Sequence, residues 1–173
     1  MQKWAVTMVG SLLLAMVCSF SWAEGPPPPA GWGKPNALPP ANGTGQVSFK
    51  HGGTSLTLPI NNIEISANQF DKDMLIVSLT YVDAKQENKF ELTFGSMPKM
   101  GKNGMHTITG FVVKTKAHGL SKTSGNKTKC DLAVSKITPK EVAGTLSCKG
   151  MTDMSATEAA PDVTDVKFAG KMN

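Results

Sequence analysis

From Gly45 onward the chain alternates apolar and polar residues in short runs, and nowhere does it repeat apolar residues at helical spacing. Successive side chains of a strand point to opposite faces, so this pattern commits each run to one buried and one wet face. Val47 and Phe49 alternate with Ser48 and Lys50, and His51-Gly52-Gly53 reads as a turn. Leu56 and Leu58 follow, in a run that ends at Pro59. Ile60, Ile63 and Ile65 then form a further short, bulged strand toward Phe70, and Asp71-Lys72-Asp73 makes a turn. Met74 to Val82, apolar at nearly every place except Ser78 and Thr80, reads as a central strand. Phe90, Leu92 and Phe94 share a face opposite Lys89, Glu91 and Thr93, and His106 to Val113 continues in the same way. Several short strands punctuated by Gly, Asn, Asp and Pro indicate an all-β fold, an antiparallel β-sandwich or small closed barrel of about seven to nine strands. One helical turn is expected from Ser155 to Ala160, with Ser155 as N-cap and Glu158 three residues later.

The chain begins differently. Lys3 precedes an apolar run from Trp4 to Cys18, and Ser21-Trp22-Ala23 puts small residues three positions and one position before Glu24. A basic start, an apolar middle and a small-x-small exit make a secretory signal helix over residues 1–23, cleaved between Ala23 and Glu24. The run from Trp4 to Cys18 is shorter than the ~20 residues that span a bilayer. A lipid anchor on Cys18 fits poorly, because Val17 and Ala15 stand where a small residue and Leu are usual. Residues 24–44 contain Pro26-Pro27-Pro28-Pro29, Pro35 and Pro39-Pro40, which remove amide donors and fix φ. They read as a disordered, partly extended spacer, leaving residues 45–173 as a single β domain. The mature chain is expected to have no transmembrane span and to reside in the periplasm or outside the cell.

Export bears on the cysteines. Cys18 leaves with the leader, so Cys130 and Cys148 remain and are expected to pair in an oxidising compartment. Cys130, Leu132 and Val134 share a face of one strand; Val142, Gly144, Leu146 and Cys148 share a face of the next, with Thr138-Pro139-Lys140 as the turn. If Ile137 faces Glu141, the same register sets Leu132 against Leu146 and Cys130 against Cys148. It also leaves Lys136 beside Val142, and a bulge near the turn would shift the pairing by one.

The net charge is +5, all basic residues are Lys, and the chain has no Arg. Lys lacks the planar fork that grips phosphate at two points, which argues against a nucleic-acid reader. Two clusters stand out. Met97, Met100, Met105 and His106 fall within ten residues, and thioether with imidazole is a soft ligand set suited to Cu(I); Met151 and Met154 would add sulfurs. Methionine also fills irregular gaps in a core. Lys114, Lys116, Lys122, Lys127 and Lys129 lie in a stretch without acids, read as a long mobile loop able to meet a polyanion such as lipid headgroups or a glycan. A solvated loop is the plainer reading of the same residues.

Catalytic patterns are thin. His51, His106 and His118 lack the i, i+4 spacing of a zinc helix, and Gly95-Ser96-Met97 lacks the second glycine of a nucleophile elbow. The chain is therefore expected to be a non-catalytic binding or structural protein of the cell envelope, without a cofactor, whose partner is an envelope component or another exported protein. The alternatives are a periplasmic Cu(I)-binding protein and, if the strands close into a barrel, a carrier of a small apolar ligand.

Overall fold

A computed structural model describes residues 38–69, 71, 73–100, 104–123, 127–153 and 159–173. The leader with its Ala23–Glu24 junction, the proline runs up to Pro35 and residues 155–158 of the turn expected from Ser155 to Ala160 lie outside the described residues, while Ala159 forms an antiparallel bridge with Thr152. Ten strands account for most of what is described: β1 Gly43–His51, β2 Thr54–Ala67, β3 Leu75–Val82, β4 Lys89–Met97, β5 Met105–Thr115, β6 Gly119–Lys122, β7 Lys129–Thr138, β8 Glu141–Lys149, β9 Thr152–Asp153 and β10 Val163–Met172. There is no α-helix among the described residues. All neighbours are antiparallel, in the order β7-β8-β10-β1-β2-β3-β4-β5-β6-β9.

The all-β expectation holds, but the sheet is single, continuous and curled into a half-barrel; it is neither a two-sheet sandwich nor a closed barrel. The strands number ten, not seven to nine, because β6 and β9 are four and two residues long and carry no apolar alternation to announce them. In the opposite direction, β2 unites the two runs that Pro59 was expected to divide. Gly52 and Gly53, with φ of 56° and 83°, form the two-residue loop closed by the His51–Thr54 pair. Counting from that pair, Pro59 faces Gln46 at a position whose amide points away from β1, so its missing N–H costs no bond there. A bulge between Ile60 and Asn62 follows, and β2 exchanges β1 for β3 as its partner.

The curl brings inward side chains of distant strands together. Phe90 on β4 meets Phe49 of β1 at 5.2 Å, Phe111 of β5 at 5.1 Å and Tyr81 of β3 at 5.9 Å between ring centroids. The Tyr81 hydroxyl donates across the interior to the Ala169 carbonyl of β10 at 3.1 Å, although β1 and β2 separate those strands in the sheet. Val47, Leu58, Ile63, Val77, Leu79, Leu92 and Phe94 are among the other side chains buried in the interior. Gly144 lies directly opposite Phe168, where a Cβ would meet the ring at 2.6 Å, so glycine there admits the aromatic. Each buried ring contributes about 1.5–3 kcal/mol relative to exposure.

The β7–β8 hairpin follows the expected register through its first half. Cys130 faces Cys148, Leu132 faces Leu146, and the cysteines are joined as a disulfide with Cα atoms 4.1 Å apart. Nearer the turn the register slips by one at Ser135, setting Ile137 opposite Val142 and Lys136 opposite Ala143. The bulge corrects the mismatch of Lys136 with Val142: Ile137 turns to the core side, and Lys136 pairs with Glu141 at 2.6 Å. The disulfide links residues 18 apart, a loop for which chain entropy gives about 3 kcal/mol. Reduction is accordingly expected to lower the denaturant midpoint by an amount worth about 3 kcal/mol while preserving the strand spectrum by circular dichroism. Equal midpoints with and without reductant would contradict this account.

Candidate binding site along an open seam

The half-barrel fails to close between β5 and β7. β6 pairs with Val112 to Thr115 only, leaving the first half of β5 without a strand on its outer edge among the described residues. β7 ends the sheet on the other side, so its outer edge is equally unpaired. Two clefts run along this seam. One of about 720 Å³ lies between Gly104–His106 and Leu132–Ile137. The other, about 600 Å³, lies between His106–Thr109 and Cys130–Leu132, with Thr123 and Thr128 at its end.

Burial falls off toward the seam. On β8 the inward residues Val142, Leu146 and Cys148 are at most 2% exposed. Their counterparts Cys130, Leu132, Val134 and Ile137 on β7, and Ile108 on β5, are only half-buried although they pack on the same core. An edge strand normally protects itself with bulges and lysines. Ser135 supplies a bulge near the turn, but Lys129 to Val134 forms a regular edge.

The lysine stretch is not a long loop. Lys114 is the penultimate residue of β5, Lys116 sits in the three-residue turn before β6, Lys122 ends β6, and Lys129 starts β7. Hairpin pairing of Gly119–Lys122 with β5 builds a strand from residues that, apart from Leu120, are polar or glycine, because Ser121 is the one facing inward. Lys116 is neutralised by Glu87 at 3.1 Å. Lys122, Lys127 and Lys129 flank the cleft that Thr123 and Thr128 line, and Lys149 lies directly opposite Lys129 on the same outer face. Among the described residues none of these four lysines has an ion-pair partner. Like charges facing each other across a ladder are destabilising, but the exposed Asp131, two residues along β7 on the same face and lining the same cleft, offsets part of this charge.

The methionine–histidine set is divided. Met97 and Met105 oppose each other at the end of the β4–β5 hairpin and share its outer face; Met105 is 47% exposed and Met100, on the connecting loop, 56%. His106 turns to the other face, where its Nδ1 lies 2.9 Å from the buried Ser96 Oγ and its ring stands edge-on to Phe94. Met151 is 1% exposed in the core and unavailable as a ligand, while Met154 lies outside the described residues.

A histidine pair that the spacing rules overlooked lies at the end of the barrel reached by the Gly52-Gly53 loop. His51 is fully buried; its Nδ1 is 3.0 Å from Thr115 Oγ1 and its Nε2 is 3.3 Å from Ser121 Oγ. His118 meets it edge-on with ring centroids 5.0 Å apart, and the His118 amide donates to Thr115 Oγ1 at 3.2 Å. His51, Thr115 and Ser121 are all in phase with inward apolar residues, a polar substitution on the core side that was visible in the alternation. Burial first, then repulsion from His118, lowers the His51 pKa from its ordinary value. With Ser121 and Thr115 also buried, this trio caps the core and offers no nucleophile to solvent.

The fold and seam together define a disulfide-linked, curled antiparallel sheet with two unpaired edges facing each other. Comparison with family models, curated proteins and solved structures found no match for the chain.

A neutral His51 makes stability depend on pH. The unfolded chain takes up a proton at this residue near pH ~6.5, whereas the folded chain does so only at lower pH. Stability is therefore expected to fall as pH drops below the unfolded value and to stop falling, on this account, below the folded one. Melting temperatures of the parent and of His51→Gln between pH 8 and pH 5 test it, at about half-unit steps around the unfolded value. The variant should be flatter; parallel curves would exclude His51 as the source.

Proposed function

We propose that this is an exported, non-catalytic protein of the cell envelope that works by binding another protein. The observation that carries the reading is the contrast between interior and seam. Aromatic rings and aliphatic side chains occupy the interior, whereas apolar side chains left half-covered line a cleft bounded by strand edges. A filled interior favours a protein partner over a small apolar ligand, and the half-covered apolar edge favours it further. The Cys130–Cys148 bond favours an oxidising compartment, and the leader signature supplies the route. No helix among the described residues is long and apolar enough to cross a membrane. Fractionation with N-terminal sequencing should find a chain that starts at Glu24, lacks free thiols, and crosslinks to another exported protein. Recovery in the cytoplasm with residues 1–23 intact would reject the reading.

A second reading rests on the facing of Met97 and Met105. Two thioethers on one face, with Met100 on the loop between them, form a soft donor set for Cu(I) without His106. A competition titration should then show one Cu(I) bound tighter than about micromolar, a binding free energy beyond about −8 kcal/mol. Replacing the three methionines by leucine should abolish it with His106 intact, and undiminished binding would dismiss this donor set.

A further inference from the structure

We infer that Met74 joins Met97, Met100 and Met105 as the fourth donor of an all-thioether site for Cu(I) on the outer face of β3, β4 and β5. This deepens the second reading above and rests on it. Met97 lies directly opposite Met105. β3 pairs with β4 from Leu75–Ser96 onward, so Met74, one residue earlier, comes level with Met97 and on the same face. Three sulfurs thus start from one row across three strands, where directly opposed side chains stand about 5 Å apart at Cβ. Met100 returns to the head of that row through a tight turn, its amide donating to the Met97 carbonyl at 3.1 Å. Met97 and Met100 line one small cleft of about 250 Å³, whose other walls are Asp71 and the Asp73–Lys99 ion pair.

Two neighbours hold the Met74 arm over β4. Asn68 Nδ2 donates to Met74 Sδ at 3.6 Å, while Asn68 Oδ1 accepts from the Asp71 amide at 3.3 Å, which fixes the way the side-chain amide points. Gly95, the outward residue two before Met97, supplies the floor. A Cβ there would collide with the Met74 methyl, and the Met74 sulfur lies 3.9 Å from that position. A thioether sulfur has two lone pairs, so the Asn68 bond leaves one for a metal. Methionine fills gaps in cores, but these four stand on the solvent side of the sheet. Among the described residues the large exposed apolar side chains are Ile76, Met100 and Met105, and Ile76 faces Gly95 in the adjoining row. The apolar exposure of the fold is therefore concentrated on this patch. Uncharged sulfurs suit Cu(I) and serve Zn(II) poorly, which takes thiolate, imidazole and carboxylate.

The probe is Ag(I), as soft as Cu(I) and stable without a reductant, so the Cys130–Cys148 bond stays closed. It is titrated into the protein carrying isotope-labelled methionine methyl groups and followed by NMR. At equimolar Ag(I) the methyl resonances of Met74, Met97, Met100 and Met105 should shift together, while those of Met151 in the core and Met172 on β10 stay in place. Zn(II) should move none of them. In a Cu(I) competition titration, Gly95→Ala keeps every sulfur but pushes the Met74 arm off β4, and should weaken binding about tenfold. Met74→Leu, which keeps the side-chain volume, should cost at least as much. Shifts at Met97, Met100 and Met105 with Met74 unmoved, or a Cu(I) affinity indifferent to Met74→Leu, would overturn the inference and leave the three-donor reading standing. No shift at any methionine would dismiss both. Shifts spread equally over Met151 and Met172 would mean sulfur binding without a site, and would dismiss both as well.

Discussion

A curled sheet has to be its own second layer, and here one aromatic side chain holds that arrangement together. Phe90 contacts rings on its neighbours β3 and β5 and also Phe49 of β1, three strands away, which no flat sheet brings within reach of one side chain. Tyr81 adds a directional tie by spending its hydroxyl on a β10 carbonyl, which a buried phenol requires for satisfaction. The bulges at Ile60, Ser48 and Thr93 are the bends through which the backbone accommodates this convergence.

Curling around a filled core fixes where the sheet runs out. Eight strands from β7 through β5 nearly surround the interior, and their directions are compatible with direct antiparallel closure. Both edges carry one irregularity. β5 is bulged opposite Thr93, and β7 is bulged at Ser135. The disulfide has a definite place in this geometry: it ties the strand with one neighbour to a strand with two. Without it β7 would depend on a single ladder of hydrogen bonds and a half-covered apolar face.

Much of this was legible in the residues. The run Met74 to Val82 is a central strand, Phe90, Leu92 and Phe94 share the core face, and the cysteine register follows from the leucines beside it. Those elements carry apolar residues at every second place, so burial and pattern coincide. β6 and β9 escaped because they are short and hold polar side chains inward, so the alternation had no contrast. Pro59 misled because its meaning depends on which edge of the strand faces a partner, a matter of three-dimensional register. The histidine pair required joining His51 to His118 across the fold, which spacing in one dimension does not encode. His106 and Met105 are adjacent in sequence yet face apart, for the same reason of period two.

One arrangement has a consequence for presentation. Gly43 pairs with Met172, and the Asn173 amide reaches the Asn42 carbonyl, so both ends of the folded part emerge side by side. The β4–β5 loop with Met100 and the β7–β8 turn lie at that rear end, whereas the lysine corner and the His51 cap belong to the opposite, front end. The exposed methionines thus share the end where the two termini of the described fold meet, and the lysines and the His51 cap occupy the other pole.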